Sequence, residues 1–293
     1  MGLFSNKTEI TVVIPAFNEE GAIAPTIKGA GEVLTAAGLK YEIITVDDGS
    51  TDKTAAAAEA AGSKVIRHPI NRGYGRSLLS GIHAAAHDWI LIIDADGSYP
   101  PAEIAKLLPH VPAFDMVVGA REGSLFWGTP VKALMRFIYL RIARFVAGEP
   151  IPDANSGLRI FRKEAVSTSM PVLCYGYSFT TTMTLSFLNA GRFVRFEPIR
   201  FTERVGHSKV KPVRDILRTL QIMTQVILYF NPMKFAAVVT LLPLLATFAA
   251  AAHLLLSPQA DPRWLVIALM LVISVLVFLL GCAVESIRLH SRK

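Results

Sequence analysis

The chain has 293 residues, 52% of them hydrophobic, and its mean hydropathy of +0.43 is high for an entirely water-soluble protein. Its two cysteines exclude a disulfide-stabilised scaffold. The formal net charge is +7, and residues 203–234 contribute +4 of it, from six Lys or Arg and two Asp or Glu. This basic surplus precedes an apolar region and favours an anionic membrane surface as a partner. No nucleic-acid-binding module is recognisable, so we expect no nucleic acid partner.

Strand and helix patterns alternate along the first part of the chain, which predicts an α/β fold with a doubly wound, mostly parallel sheet. The predicted strands are short apolar runs bounded by turn-forming residues: Ile10–Ile14, Tyr41–Val46, Lys64–Arg67, Trp89–Ile93 and Met116–Val118. The predicted helices are Glu19–Ala37, an Ala-rich helix capped by Ser50 or Thr51 and ended by Gly62, Gly75–His87, Ala102–Leu108 and Val131–Ala147. Residues 150–202 are expected to complete the far side of the sheet.

Residues 208–233 repeat apolar side chains at helical spacing, with Lys and Arg on the opposite side. The pattern predicts an amphipathic juxtamembrane helix that lies at the membrane surface. An ordinary amphipathic helix packed on the preceding domain is the alternative.

Two stretches, residues 235–256 and 264–284, contain no Asp, Glu, Lys or Arg. Each is long enough to cross the ~30 Å hydrocarbon core of a bilayer as a helix. The short connection permits only a hairpin, and the flanking Lys and Arg residues predict that the first domain and both chain termini are cytoplasmic. A buried helical pair in a soluble protein is the alternative. The predicted integral membrane protein has three parts: a cytoplasmic domain (1–207), the juxtamembrane helix (208–233) and the transmembrane hairpin (234–293).

A pair of carboxylates follows the predicted strand Trp89–Ile93. Asp94 and Asp96 stand on alternate residues, before Gly97 and a Pro-Pro turn. The carboxyl ends of strands are where open α/β sheets bind their ligands. Two adjacent carboxylates repel each other unless a cation lies between them, and hard divalent cations prefer carboxylate oxygens. A solvated turn or a helix cap is the alternative for such a short motif.

Three further polar segments follow predicted strands and are expected at the same sheet edge: Pro15–Glu20, Asp47–Ser50 and Asn71–Gly75. Together, the side chains of these segments have the properties needed to bind a nucleotide. Phe17 offers a ring face for a base, Asp47 or Asp48 can accept hydrogen bonds from base or ribose, and Asp96 can hold a metal on the diphosphate. The sequence contains no G-x-G-x-x-G fingerprint, P-loop or G-x-S-x-G elbow, which disfavours other nucleotide folds and α/β-hydrolases.

The motifs PAFNEE, VDDGSTD and DADGSYPP, in this order and spacing, resemble the GT-A domain of glycosyltransferase family 2. The later VVGAR, DANSGLRIF and ERVGHSK resemble its polyprenyl-phosphate branch, which includes dolichyl-phosphate mannose synthases. The similarity covers about residues 10–232. The two apolar stretches match the layout of many bacterial and archaeal members. The implied architecture is a GT-A domain, an interfacial helix and a transmembrane hairpin.

The resemblance implies roles for particular residues. Residues implied to bind the donor nucleotide are Pro15, Phe17, Glu19, Asp47, Asp48, Asn71 and Asp94. Residues implied to bind Mg²⁺ or Mn²⁺ are Asp94, Asp96 and Ser98, although Ser98 stands where mannose synthases commonly have Gln. Arg121, Arg136, Arg204 and Lys209 match basic positions that handle phosphate groups, either of the acceptor or of the leaving diphosphate. We expect Arg136, Arg204, Ser208 and Lys209 to bind the acceptor phosphate. Residues implied to act in catalysis are Asp96, Arg121 and Asp153.

A phosphate acceptor reduces the need for a general base in the site. Its second pKa is near ~6, so it is largely dianionic at neutral pH and needs little help from a general base. The metal and Arg cations would stabilise the leaving nucleoside diphosphate. Asp153 is the nearest candidate base, and its alternative role is to orient the Ser156-Gly157 loop or Arg159.

The expected function is therefore inverting transfer of one sugar from a nucleotide donor to a polyprenyl phosphate, undecaprenyl or dolichyl, at the cytoplasmic membrane face. The donor is expected to be UDP- or GDP-linked. Two other functions stay open: sugar transfer to a lipid or glycan hydroxyl, and a non-catalytic membrane anchor that binds nucleotide sugars.

Overall fold

A computed structural model describes residues 8–169, 179–203, 212–256 and 263–290. They belong to two compact units, Met1–Met223 and Thr224–Lys293. The domain boundaries predicted after residues 207 and 233 stay predictions.

The first unit is built around a sheet. Its strands are β1 (Glu9–Ala16), β2 (Lys40–Asp47), β3 (Lys64–Arg67), β4 (Trp89–Ile92), β5 (Met116–Arg121), β6 (Arg159–Arg162) and β7 (Val194–Ile199). They form a seven-stranded sheet in the order β3-β2-β1-β4-β6-β5-β7. β6 runs antiparallel to both neighbours, and all other pairs are parallel. The predicted mostly parallel sheet is confirmed.

Helices cover both faces of this sheet. They are α1 (Ile23–Ala36), α2 (Thr54–Ala60), α3 (Tyr74–Ala84), α4 (Ile104–Leu107), α5 (Ser124–Trp127), α6 (Pro130–Ala147), α7 (Lys163–Ser169) and α8 (Phe179–Asn189). The next helix, α9 (Pro212–Phe230), contains the boundary between the two units. Successive residues of β1 point to opposite faces, so Val12 joins a core with α1 and α4 while Val13 joins a core with α3 and α8. Burial on both faces explains why the central strands are continuous apolar runs.

Two helices begin later than predicted. α1 starts at Ile23, because the Glu19 carbonyl accepts the N–H groups of Ala22 and Ile23 in a preceding turn. α2 starts at Thr54, so the predicted cap by Ser50 or Thr51 is wrong. Both of those residues instead bind Asn18 in the neighbouring loop.

The second unit contains α10 (Pro232–Leu256) and α11 (Arg263–His290), which pack against each other. Gly281 lies so close to Ala236 that a Cβ there would overlap the Ala236 methyl group. Both helices are long and apolar enough to cross a membrane, and only 18% and 11% of their most apolar windows are buried. The predicted connection between the two spans lies mostly outside the described residues.

Gly81 provides a test of how α3 packs on the sheet. A Cβ at this position would overlap Val13 Cγ1 and lie 3.3 Å from Val46 Cγ2. Overpacking against these branched strand residues costs about 1–3 kcal/mol, which exceeds the gain of up to ~1 kcal/mol in helix propensity. We therefore expect Gly81→Ala to lower the Tm of the detergent-solubilised protein. His83→Ala, at an exposed position of the same helix, is the control and should leave the Tm nearly unchanged. An unchanged or raised Tm for Gly81→Ala would contradict this packing.

Candidate active site

The strand ends bring the predicted site segments to one edge of the sheet. The carboxyl ends of β1 and β2 are paired, Ala16 with Asp47, and β4 leaves the sheet beside β1. β6 runs in the opposite direction, so its first residue, Arg159, pairs with Ile92 and Val118 at the same edge. The turn before β6 therefore joins the loops that follow β1, β2, β4 and β5.

The loops after β1 and β2 form one hydrogen-bonded unit. Asn18 has a positive φ of 53° and its Oδ1 accepts the Thr51 N–H at 2.9 Å. The Glu19 N–H donates to Thr54 Oγ1 at 2.8 Å, and the Lys53 N–H donates to Glu20 Oε2 at 3.0 Å. These bonds fix the backbone around the half-buried Phe17 and Glu19, while Pro15 is buried within β1. Binding of the base by these residues stays a prediction.

Asp47 and Asp48 are both only 3% exposed. Asp47 Oδ1 accepts the Ser50 N–H at 3.0 Å. Asp48 accepts the backbone N–H groups of Arg72 at 3.0 Å and Gly73 at 2.7 Å. The structure therefore shows these carboxylates holding the loops after β2 and β3, and direct contact with a nucleotide stays a prediction. Asn71, in the second of these loops, is exposed.

His68 also binds Asp48, and the sequence motifs did not identify it. Its Nδ1 lies 2.7 Å from Asp48 Oδ1 and its Nε2 lies 2.9 Å from Ser80 Oγ. The Asp-His-Ser series joins the end of β2, the exit of β3 and α3. Because Asp48 also accepts two backbone N–H groups, the series connects three elements at this edge of the sheet.

The paired carboxylates after β4 are held by hydroxyl groups. The Tyr74 hydroxyl donates to Asp94 Oδ1 at 2.7 Å. Ser98 donates to Asp96 Oδ1 through its N–H at 3.0 Å and its hydroxyl at 2.5 Å. Asp96 is 7% exposed and Ser98 is 1% exposed. Ser98 thus orients Asp96, and a direct contact of Ser98 with a metal stays a prediction.

No group of three or more His, Cys, Asp or Glu side chains within the described ranges is arranged to hold a metal ion. Asp94 and Asp96 nevertheless lie on one turn at the sheet edge, and Mg²⁺ is commonly held by one or two carboxylates together with phosphate oxygens of a substrate. The two residues therefore fit a divalent ion that arrives with a diphosphate.

Arg121 and Asp153 form a two-point ion pair. Arg121 Nε lies 2.7 Å from Asp153 Oδ2, and Nη2 lies 3.0 Å from Oδ1. Asp153 is 1% exposed and also accepts the Asn155 N–H at 3.0 Å. Burial raises the pKa of Asp153, but the Arg121 charge and these hydrogen bonds outweigh it and hold the pKa below its usual value. An ionised carboxylate bound at both oxygens orients Arg121, and its low pKa makes it a weak general base.

Arg121 and Arg136 share one aromatic ring. The Arg121 guanidinium carbon lies 5.3 Å from the centre of the Phe126 ring and 5.2 Å from that of Phe201, and Arg136 lies 4.2 Å from Phe126. Burial lowers the pKa of Arg136, and the nearby Arg121 charge lowers it further. Two cations so placed form a site that an anion such as a phosphate would stabilise.

Arg159 takes no part in the ion pair of Asp153. It is fully buried, and it donates to the carbonyls of Ser156 and Thr180 and to the Thr184 hydroxyl. The alternative in which Asp153 orients Arg159 is therefore not supported, because Asp153 binds Arg121. The predicted acceptor residues Arg204, Ser208 and Lys209 lie outside the described residues.

Comparison with known proteins identifies the family. The family model described as glycosyl transferase family 2 matches residues 11–169. An uncharacterized protein of Methanocaldococcus jannaschii is 39% identical over 168 residues, covering 55% of this chain and 67% of that protein. An undecaprenyl-phosphate 4-deoxy-4-formamido-L-arabinose transferase of Klebsiella pneumoniae subsp. pneumoniae is 28% identical over 284 residues, covering 93% of this chain and 84% of the relative.

Solved structures share the fold at low sequence identity. Glucosyl-3-phosphoglycerate synthase from Mycobacterium tuberculosis, in complex with Mn²⁺, UDP-glucose and phosphoglyceric acid, has a TM-score of 0.59 and 21% identity, covering 75% of this chain and 80% of that chain. Mannosyl-3-phosphoglycerate synthase from Rubrobacter xylanophilus has a TM-score of 0.58 and 21% identity, covering 75% of this chain and 72% of that chain. The sheet, its edge loops and the family match agree: the chain belongs to glycosyl transferase family 2 and is a glycosyltransferase with a GT-A type fold.

Proposed function

We propose that this protein transfers one sugar from a nucleotide-sugar donor to a polyprenyl phosphate, with inversion at the anomeric carbon, at the cytoplasmic face of a membrane. The observation that carries the acceptor class is the extent of similarity to the undecaprenyl-phosphate transferase. It covers 93% of the chain, whereas the family match ends at residue 169. Similarity of that extent includes the part of the chain that holds the two apolar helices.

The donor is proposed to bind where the loops after β1, β2 and β4 meet. Phe17 would face the base, and Asp94 and Asp96 would hold the diphosphate through Mg²⁺ or Mn²⁺. Several of the solved neighbours are complexes with UDP and one of these metals. The bound ion would offset negative charge that develops on the leaving diphosphate. Both UDP- and GDP-linked sugars are compatible with the loops described.

The proposed acceptor chemistry needs no proton transfer to Asp153, whose pKa is lowered. A phosphomonoester is largely dianionic at neutral pH, because its second pKa is near ~6, so its oxygen can attack without losing a proton to the protein. That oxygen forms a bond to the anomeric carbon as the bond to the donor diphosphate breaks, and the nucleoside diphosphate leaves with the electron pair. In-line displacement inverts the anomeric centre. Arg121, held by Asp153, and Arg136 would stabilise phosphate charge during this step.

A hydroxyl acceptor would require a general base. Asp153 is the candidate near the cations, but both of its oxygens accept hydrogen bonds from Arg121 and its pKa is low. This arrangement favours a phosphate over a lipid or glycan hydroxyl. The two hydrogen bonds that orient Arg121 would serve no purpose in a non-catalytic anchor, so they favour an enzyme.

The membrane location is supported by α10 and α11 and by an exposed face of α6. Large apolar side chains recur along that face at helical spacing, and each is more than 40% exposed: Val131, Leu134, Met135, Ile138 and Phe145. The helix carries Lys132, Arg136, Arg141 and Arg144 and no acidic residue. Apolar side chains interspersed with cations suit the interface of an anionic bilayer. Placement of α9 at the same interface stays a prediction.

The role of the metal can be tested at Asp96. Asp96→Asn is expected to abolish sugar transfer, because the amide lacks the charge that holds the divalent ion, while the Tm stays near that of the wild type. EDTA should abolish transfer reversibly, with recovery on addition of excess Mg²⁺ or Mn²⁺. The assay follows radiolabelled donor sugars into the lipid phase. Full transfer in EDTA would remove the metal from the reaction.

The orientation can be tested by labelling single cysteines in a chain whose Cys174 and Cys282 are replaced by Ser. With both termini cytoplasmic, a cysteine at Gln259 should react with an impermeant thiol reagent added to intact cells. A cysteine at Ser291 should react only after the membrane is permeabilised. The opposite pattern would overturn the orientation inferred from the Lys and Arg flanks.

Donor and acceptor contacts can be separated at Arg204 and Lys209. Each is proposed to bind the lipid phosphate, and loss of one charge-assisted contact costs ~1.5–3 kcal/mol, or about one to two orders of magnitude. Arg204→Ala and Lys209→Ala should raise the KM for polyprenyl phosphate, or lower kcat if the contact tightens in the transition state. Nucleotide-sugar affinity, measured by calorimetry without lipid, should change little. Lys28→Ala, an exposed cation on α1, is the control.

The same measurements expose other roles for these cations. Unchanged kinetics in detergent, with weaker binding to anionic vesicles, would mean that both residues contact lipid heads nonspecifically. A collapse of donor affinity would assign them to the leaving diphosphate. Either result would contradict the acceptor role.

A further inference from the structure

Asp94 is held by groups that lie far from it in sequence. Tyr74, the first residue of α3, donates its hydroxyl proton to Asp94 Oδ1 at 2.7 Å. On the other side, the Asp94 carboxylate lies against Gly157 in the turn before β6. Neither contact comes from the motif that contains Asp94. A carboxylate with such neighbours has its position fixed by the surrounding fold.

The Tyr74 contact depends on the start of α3. Gly73 precedes the helix with a φ of 97°, a conformation that favours glycine. Its N–H donates to Asp48 Oδ2 at 2.7 Å, which fastens the helix start to the end of β2. The position of the Tyr74 hydroxyl against Asp94 is therefore fixed by the backbone at Gly73.

The Gly157 contact depends on the absence of a side chain. A Cβ at residue 157 would overlap both carboxylate oxygens of Asp94 as well as its carboxyl carbon. The Gly157 N–H donates to the buried Tyr99 hydroxyl at 2.7 Å, which fixes the turn against the carboxylate. The same turn begins at Asp153, whose two oxygens bind Arg121. With both ends of the turn held, an added methyl group can be accommodated only by moving Asp94.

We propose that Tyr74 and Gly157 are positioning residues for Asp94, which set its carboxylate for the divalent ion that accompanies the donor diphosphate. This inference rests on the proposed function. Tyr74 acts by fixing one oxygen of the carboxylate, and Gly157 acts by leaving room for it. Neither residue is a metal ligand in this proposal.

The test is binding of Mn²⁺, measured by electron paramagnetic resonance on the purified full-length protein in the presence of UDP or GDP. Hydrogen bonds to charged groups contribute about 1.5–3 kcal/mol, so Tyr74→Phe should weaken Mn²⁺ binding by about one to two orders of magnitude. Gly157→Ala should weaken it at least as much. Because Tyr74→Phe alters affinity and removes no ligand, saturating Mn²⁺ should restore most of its kcat.

Matched controls separate positioning from general damage. Tyr139→Phe removes another partly buried hydroxyl, which is hydrogen-bonded to Thr181 at 2.7 Å and not to Asp94. Gly21→Ala adds a methyl group where no atom lies within 4 Å. Both controls should bind Mn²⁺ like the wild type. The Tm of each variant, measured without metal, reports on folding. If Gly157→Ala does not fold, Mn²⁺ binding by Tyr74→Phe alone tests the proposal.

Asp96→Asn, measured in parallel, distinguishes failure of this inference from failure of the proposed function. Loss of Mn²⁺ binding in Asp96→Asn, with wild-type affinity in Tyr74→Phe and Gly157→Ala, would overturn the positioning roles and leave the metal site in place. Wild-type affinity in all three variants would overturn both. Equal loss in Tyr74→Phe and Tyr139→Phe would show only damage to the fold, and would also overturn the inference.

Discussion

A carboxylate taken out of water must find hydrogen-bond donors or a cation, and the carboxyl edge of this sheet buries several of them. Asp48 meets the requirement with two backbone N–H groups and His68, and Asp153 meets it with Arg121. The donors come from the ends of other strands or from the loops that follow them. Each buried carboxylate therefore ties neighbouring loops together, and the rigidity of the site is a consequence of satisfying its own charges.

The same requirement divides the edge into two regions. On one side of β4, the loops of β1, β2 and β3 are joined by hydrogen bonds around Asp47 and Asp48, and Arg67 Nε lies 3.6 Å from Asp47 Oδ2. On the other side, Arg121 and Arg136 meet at Phe126, and Asp153 binds Arg121. In the proposed function, the donor diphosphate with its metal lies towards the first region and the acceptor phosphate lies in the second. Asp94 lies between them, because Gly157 belongs to the turn that begins at Asp153.

Short sequence patterns predicted the strands and turns, because these depend on residues that are neighbours in the chain. The strand Lys64–Arg67 and the carboxylates after β4 were found because apolar runs and turn residues are contiguous in sequence. The antiparallel direction of β6 depends on pairing with β4 and β5, which no short pattern records. The contacts of Tyr74 and Gly157 with Asp94 were not predicted for the same reason. A tyrosine in a helix and a glycine in a turn have no distinctive sequence signal until tertiary contacts bring them to Asp94.

Asp153 shows why the location of a residue does not by itself establish its chemistry. Its type and position suggest a general base, but a base must exchange a proton near the working pH. Burial raises the pKa of Asp153, and the Arg121 guanidinium at both of its oxygens outweighs that effect and lowers the pKa, which opposes this role. The ion pair instead keeps Arg121 charged, since Tyr99 and Asp153 raise the pKa of Arg121 against the effect of burial. In the proposed reaction, an acceptor that arrives already ionised does not have to transfer a proton to Asp153. It does need a fixed cation, because the phosphate must leave water to reach the donor. The pairing with Arg121 thus fits the proposed phosphate acceptor, and a direct role of Asp153 in catalysis stays a prediction.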